Sequence, residues 1–140
     1  MPLVQTEFLV HFTIPVNDLD ESVTFYRDVL GMTPRGEVGP TGFCMMVGET
    51  PIILSARPTP RPFEEPLERN GQLLHQAFHV SSAEYDHAEE SLREHGVKLA
   101  GEEWRKTGTF TGRSLYFFDP SGNRLEINDP NPPFWPEDAR

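Results

Sequence analysis

The sequence predicts an α+β protein made of two βαβββ modules, and three observations support this fold class. Strand-like and helix-like patterns follow one another in the same order in both halves of the chain. Two histidines, His11 and His75, occupy the same position in the first predicted strand of each half, 64 residues apart. The glycines that end the two predicted helices, Gly31 and Gly96, are 65 residues apart. Such an internal correspondence indicates that the two modules share one plan.

The first module covers residues 8–56. Alternating side chains predict a strand at 8–16. An apolar stripe at helical spacing predicts a helix that begins after an N-cap at about Asp20 and runs to Leu30, with Gly31 as the residue beyond its end. Three further strands, the first only weakly marked, are predicted at residues 34–38, 42–47 and 52–56.

The second module, residues 73–128, repeats this order. A strand is predicted at 73–80, and a helix at 83–95 that ends at Gly96. The sequence Asp-Pro-Ser-Gly-Asn at 119–123 is a strong turn signal. Three further strands are predicted at residues 98–104, 114–118 and 124–128.

The 140 residues are expected to form a single domain. Residues 57–72, which lie between the modules, are rich in proline and are predicted to be a linker or a flap. Residues 129–140 form a tail in which Phe134 and Trp135 are expected to pack on the rest of the protein.

Composition and charge exclude several classes of protein. The formal net charge of −10, with no basic patch, argues against binding to nucleic acid. No apolar run approaches the roughly 18 residues of a membrane span, and the N-terminus does not resemble a signal peptide. The single cysteine, Cys44, excludes an internal disulfide and fits a reducing compartment. We therefore expect a cytoplasmic protein.

Two histidines and one glutamate form the predicted functional centre. His11, His75 and Glu126 each lie in a short apolar strand-like run, and two imidazoles with one carboxylate are a ligand set for a divalent cation. Glu126 lies between Leu125 and Ile127, which point the opposite way, so its carboxylate is expected to face the interior, where a cation would offset the cost of burial. Taken alone, His11 would be read as a core histidine bonded to a carbonyl.

Three segments resemble the vicinal oxygen chelate superfamily, the glyoxalase, bleomycin-resistance and extradiol-dioxygenase group. They read HFTIPVNDLDESVTFYRDVLGM, HQAFHV and SLYFFDPSGNRLEI, and the resemblance covers residues 8–128. It implies that the two modules form a curled mixed sheet around a metal ion, with ligands from the first and last strand of each module. Those positions are His11, Leu54, His75 and Glu126.

The aliphatic residue in the second ligand position, Leu54, separates the members of the superfamily. Glyoxalase I and methylmalonyl-CoA epimerase would require a fourth protein ligand there. Three ligands are what the extradiol dioxygenases and the fosfomycin-modifying enzymes use. Bleomycin-binding members lack the ligand set. The resemblance therefore implies a metal enzyme that uses His11, His75 and Glu126.

The favoured prediction is an extradiol-type dioxygenase that uses Fe(II) on a small bidentate oxygen substrate, because a facial triad leaves coordination positions open. Mn(II), Ni(II), Co(II) and Zn(II) are the other metals considered. Pro60 and Thr107 occupy the positions where extradiol enzymes place further histidines, which counts against this reading.

Two alternatives stay open. One is a redox-neutral Lewis-acid enzyme, either a fosfomycin-type epoxide-opening transferase or hydrolase or a glyoxalase-like lyase or isomerase. The other is a non-enzymatic drug-binding resistance protein. The resemblance also implies a homodimer, and the sequence does not decide whether one chain or two supply the metal ligands.

Further residues are assigned to the site. Tyr116 and His79 are the predicted catalytic groups, although Tyr116 is equally well read as a core aromatic and His79 as a solvated residue at a strand end. Thr13 and Arg124 share faces with the predicted ligands. Four residues are predicted to form an apolar pocket wall, Phe43, Met45, Trp104 and Phe110. Two residues match polar substrate-contact positions of fosfomycin transferases, Lys106 and Ser114.

Overall fold

The computed structural model describes residues 1–63 and 74–140. The chain divides into two compact units, Met1–Arg61 and Pro62–Arg140, and in each of them the described residues form one helix and a four-stranded mixed sheet. Most of the predicted connection and the first residue of the predicted strand at 73–80 lie outside the described residues.

In unit 1 the sheet has the strand order β1-β4-β3-β2. β1 and β4 are parallel, and the other two pairings are antiparallel. The elements are β1 (Phe12–Val16), α1 (Leu19–Asp28), β2 (Thr33–Val38), β3 (Gly42–Val47) and β4 (Thr50–Ala56).

In unit 2 the sheet has the order β5-β8-β7-β6, again with the first and last strands parallel. The elements are β5 (Gln76–His79), α2 (Ser82–Glu94), β6 (Leu99–Arg105), β7 (Gly112–Phe118) and β8 (Arg124–Asp129). The shared order and pairing confirm the prediction of two βαβββ modules. No helix among the described residues is long and apolar enough to cross a membrane.

The N-cap of helix α1 is Asp18, two residues before the predicted Asp20, and the helix ends at Asp28 and not at the predicted Leu30. Asp18 has an extended backbone, and its Oδ1 accepts a hydrogen bond of 2.8 Å from the amide of Glu21. Asp20 lies in the first turn, where its negative charge interacts favourably with the positive end of the helix dipole. At the other end Gly31 adopts φ +67°, as its predicted position beyond the helix requires.

Helix α2 matches the sequence pattern to within one residue at each end. The hydroxyl of Ser81 accepts from the amide of Glu84 at its start. Gly96 has φ +72°, and the amides of Gly96 and Val97 donate to the carbonyls of Arg93 and Leu92. This is the Schellman arrangement that ends a helix at glycine.

Most strands differ from their predicted bounds: β2, β4, β7 and β8 are one or two residues longer, and β5 covers only 76–79 of the predicted 73–80. β1 begins at Phe12, and the preceding apolar residues Phe8, Leu9 and Val10 are exposed. β6 extends to Arg105, which pairs with Gly112 at the start of β7. A side chain at Gly112 would collide with the Asp129 carbonyl, 2.1 Å from an ideal Cβ, so only glycine permits this close pairing.

A buried ion pair joins β7 to β8 on the side of the sheet that α2 covers. Arg113 Nε lies 2.9 Å from Asp129 Oδ2, and both side chains are at most 5% exposed. The guanidinium also contacts Asp86 at 2.7 Å and lies over the rings of Tyr85 and Trp104. Charges this deeply buried are tolerated because each has a hydrogen-bonded partner.

The C-terminal tail packs on the same side of unit 2, as expected for Phe134 and Trp135. The ring centroid of Trp104 lies 5.6 Å from that of Phe134 and 6.3 Å from that of Trp135.

The Arg113–Asp129 pair predicts how stability changes with pH. Burial alone would raise the pKa of the Asp129 carboxyl, but hydrogen bonds from Ser82, the Asn131 amide and Arg113 outweigh it and lower the pKa below its ordinary value. The ionised carboxylate therefore contributes stability that is complete above about pH 4 and is lost as the pH falls through the lower folded value.

We expect Asp129→Asn to lower the free energy of unfolding by about 3 kcal/mol at pH 7, because Arg113 would lose its buried partner. The loss should shrink below about pH 4. Urea unfolding at several pH values measures both effects. Asp86→Asn, on the exposed side of Arg113, is the matched control and should cost less than about 1 kcal/mol. Equal losses in the two variants would contradict this account.

Candidate metal centre

The parallel pairing of β5 with β8 brings two predicted ligands together. Glu126 lies opposite Ala77, two residues beyond His75, and opposite Tyr116 on the other side. His75 Nε2 is 2.9 Å from Glu126 Oε2. The Glu126 side chain is 6% exposed and that of His75 is 34% exposed. A buried carboxylate beside a partly exposed imidazole is a suitable donor pair for a divalent cation.

The third predicted ligand, His11, immediately precedes β1 in unit 1 and is exposed. No cluster of three metal-binding side chains occurs within the residues that the structure describes. Imidazole nitrogen and carboxylate oxygen are the donor types that first-row divalent metals take, so the chemistry of the pair in unit 2 fits such an ion.

The structure changes which residue occupies the second ligand position, for which the sequence predicted Leu54. The register that places Ala77 beside Glu126 in unit 2 places Thr13 beside Ile53 in unit 1. Ile53 is therefore the counterpart of Glu126, whereas Leu54 is buried on the opposite face of its sheet. The conclusion that this slot holds an aliphatic residue is unchanged.

Tyr116 lies on the same face as Glu126, and its environment favours the protonated phenol. Its ring meets His75 edge-on with centroids 5.9 Å apart, and its hydroxyl donates to Glu103 Oε2 at 3.1 Å. Burial raises the pKa of Tyr116, and the neighbouring carboxylates of Glu126 and Glu103 raise it further, while the hydrogen bond from Arg105 opposes them. The phenol is thus a hydrogen-bond donor throughout the neutral range.

Arg105 is the residue that the sequence analysis missed. Lys106, the residue predicted to contact substrate, is exposed. Arg105 Nη2 instead donates to Ser114 Oγ at 3.2 Å and to Glu126 Oε1 at 3.5 Å. β6 continues one residue beyond its predicted end, so alternation puts Arg105 and Glu103 on the Glu126 side of the sheet. The spacing of Glu103 and Arg105, two residues apart in a strand, was the sequence signal that could have placed both on one face.

The expected apolar pocket wall is not assembled on this face. Trp104 alternates with Arg105 and lies on the opposite face, over Arg113. Phe110 is 76% exposed, and only its carbonyl reaches the cluster, as an acceptor for Arg105 Nε. In unit 1 Phe43 and Met45 share the buried face of Leu54, opposite the face of Thr13.

The remaining polar residues of unit 2 extend the cluster. Ser114 is fully buried and its hydroxyl accepts from Asn128 Nδ2, a residue that the sequence analysis did not assign. His79 is exposed and pairs with Asn128 at the end of β5. The Arg124 guanidinium stacks on the Tyr116 ring at 4.5 Å, and its buried Nε has no hydrogen-bond partner among the described residues.

Comparison with known proteins assigns the family. The model of the Glyoxalase/Bleomycin resistance protein/Dioxygenase superfamily matches residues 8–127. The chain belongs to this superfamily. The predicted membership and the α+β fold of two βαβββ modules are confirmed by this match and by the observed topology.

Within the superfamily, the similar curated proteins are transferases. Glutathione transferase FosA from Serratia marcescens is 32% identical over 120 residues, which cover 86% of this chain and 79% of that protein. Metallothiol transferase FosB from Staphylococcus saprophyticus is 25% identical over 118 residues, which cover 84% of this chain and 74% of that protein.

Solved structures of similar fold include the fosfomycin resistance protein FosX from Listeria monocytogenes. One crystal form matches with a TM-score of 0.71 at 20% identity, covering 91% of this chain and 94% of that chain. A mutant of the same protein in complex with Mn(II) and 1S,2S-dihydroxypropylphosphonic acid has a TM-score of 0.71 at 21% identity, covering 91% and 93%. At these identities the likeness shows the fold.

These comparisons correct the favoured reaction. An extradiol-type dioxygenase with iron is not supported, because the similar curated proteins are thiol transferases. They match the alternative that the sequence left open, a redox-neutral metal enzyme of the fosfomycin type.

Tyr116 gives a direct test of the geometry of this cluster. We expect the phenol to ionise above pH 10, because burial and two nearby carboxylates disfavour the phenolate. A titration at 295 nm of the metal-free protein, compared with Tyr116→Phe, should show curves that coincide below about pH 10 and diverge above it. A phenolate step below pH 9 that the variant lacks would contradict the described environment.

Proposed function

We propose that this protein is a divalent-metal-dependent transferase that opens the epoxide of fosfomycin, or of a similar small epoxyphosphonate, with a thiol. The observation that carries the proposal is the single face of unit 2 on which His75, Glu126, Tyr116 and Arg124 meet. The 32% identity to a glutathione transferase over most of the chain supports a thiol as the nucleophile.

His11, His75 and Glu126 are the proposed metal ligands. The pair in unit 2 has the donor types and the partial burial that such an ion requires, and His11 occupies in unit 1 the place that His75 occupies in unit 2. Mn(II) is the metal of choice for a first test, since it accompanies 1S,2S-dihydroxypropylphosphonic acid in the FosX complex. When bound, a divalent ion supplies Lewis-acid stabilisation of the oxygen that gains negative charge as the epoxide opens.

The chain's own residues orient the substrate. The buried Nε–H of Arg124 has no partner among the described residues, and its guanidinium lies over the Tyr116 ring, so Arg124 is suited to receive the phosphonate. Tyr116 remains protonated at neutral pH, and its hydroxyl, which donates to Glu103 in this structure, would exchange that partner for a substrate oxygen.

The reaction itself is redox-neutral. A thiolate sulfur forms a bond to one epoxide carbon, the carbon–oxygen bond breaks, and the released oxygen takes up a proton. No oxidant is consumed, which separates this proposal from dioxygenase chemistry. We further propose that the enzyme acts as a homodimer, as the resemblance implies, which sedimentation equilibrium tests.

The first test is product analysis. We expect the protein with Mn(II), fosfomycin and glutathione or cysteine to form the thiol adduct at the same rate with and without oxygen. Phosphorus NMR and mass spectrometry distinguish the adduct from the diol that water would give. Formation of the diol alone would show that water, and not the thiol, is the nucleophile. Unchanged fosfomycin with Mn(II), Ni(II), Co(II), Zn(II) and Fe(II) would refute the proposal.

The second test removes one ligand. Glu126→Gln should lower kcat/KM at least about a hundredfold, since even residues that merely support a metal ligand change affinity or activity 10- to 100-fold. Calorimetric titration of Mn(II) should show a parallel loss of affinity. Glu90→Gln, an exposed change of the same kind on α2, is the control. Full activity of Glu126→Gln would contradict the proposed role of Glu126 as a metal ligand in the reaction.

A further inference from the structure

Every N–H group of the Arg105 guanidinium has an acceptor. Nε donates to the Phe110 carbonyl at 2.9 Å, Nη1 to Glu103 at 2.7 Å and to Tyr116 at 3.4 Å, and Nη2 to Ser114 at 3.2 Å and Glu126 at 3.5 Å. An arginine has five N–H donors, so the group is saturated by the protein itself.

These acceptors come from three of the four strands of the sheet and from the loop that joins two of those strands. They belong to β6, β7, β8 and the segment that joins β6 to β7. Glu126 accepts from Arg105 through Oε1 and lies against His75 through Oε2, so both of its oxygens are held. The orientation of a buried carboxylate is thereby fixed from two sides.

We propose that Arg105 is a positioning residue, which holds Glu126, Tyr116 and Ser114 in the arrangement that the metal and the substrate require. It is not the receptor for the acidic group of the substrate, since a phosphonate would have to break contacts that are already made. That task falls to Arg124, whose buried Nε lacks a partner among the described residues. This inference rests on the proposed function.

The planar fork of arginine is essential to this role, and its charge alone does not suffice. Lysine keeps the positive charge but presents three N–H groups on one nitrogen, which cannot reach acceptors spread over three strands and a loop. Arg105→Lys and Arg105→Gln should therefore behave alike. If Arg105 acted only as a counter-charge for Glu126, lysine would restore the wild-type properties.

The test starts with crystal structures of the metal-free wild type and of both variants. We expect the Glu126 carboxylate and the Tyr116 hydroxyl to be displaced or disordered in both variants. They should stay in place in Arg93→Lys, the control, whose partner Glu89 is exposed on α2. Wild-type positions of Glu126 and Tyr116 in Arg105→Lys would overturn the proposal.

Binding measurements extend the test to function. Mn(II) affinity, measured by calorimetry on the apo proteins, should fall about tenfold in both Arg105 variants. In turnover, kcat should fall while KM for the phosphonate changes little, whereas Arg124→Gln should mainly raise KM. A large rise in KM with unchanged kcat in Arg105→Lys would make Arg105 the substrate receptor and refute the positioning role.

The outcomes also separate this inference from the proposed function. If the wild type binds no Mn(II) and leaves fosfomycin unchanged, the proposed function fails, and the metal-free crystal structures still decide the role of Arg105. Thermal unfolding first establishes that both variants fold. If they do not, Glu103→Ala removes the half-exposed acceptor that Arg105 and Tyr116 share. The Tyr116 hydroxyl should then move, and an unmoved hydroxyl would contradict the proposal.

Discussion

The parallel pairing of β5 with β8 is the constraint on which the site depends. A parallel pair requires a long crossover, and in unit 2 that crossover contains α2, β6 and β7, which cover one face of the sheet and complete its width. The register of this pair sets Glu126 beside Ala77 and so brings the carboxylate within 2.9 Å of His75. A shift of one residue would turn Glu126 to the opposite face, beneath the helix.

The two faces of this sheet carry different kinds of charge network. On the helix side the Arg113–Asp129 pair is almost fully buried and joins β7 to β8. On the other side, the charges of Arg105, Glu103 and Glu126 lie beside a histidine that is partly open to solvent. The first network holds the strands in register. The second places polar groups where a small molecule can reach them. Both depend on Gly112, which lets β7 begin close to the Asp129 carbonyl.

Membership in the superfamily limits the chemistry without deciding it, since one fold supports several reactions. The ligand set of two histidines and one glutamate is shared by oxidative and redox-neutral readings. In the proposed function, Arg124 and Tyr116 on the surrounding face receive an anionic substrate. The similarity to thiol transferases favours the redox-neutral reading.

The sequence by itself determined the order of the elements, the internal repeat and the identity of the proposed ligands. Period-two alternation, the helix-ending glycines Gly31 and Gly96, and the turn at 119–123 are local signals, so they are readable without tertiary contacts. Tertiary structure decided what depends on strand register and on strand ends. The strand register made Ile53, and not Leu54, the counterpart of Glu126. It also placed Trp104 on the face opposite Arg105 and Met45 on the face opposite Thr13. Tertiary structure also selected Arg105 over Lys106, because β6 runs one residue beyond its predicted end and alternation places Arg105 on the same face as Glu103. No local pattern fixes where an edge strand stops.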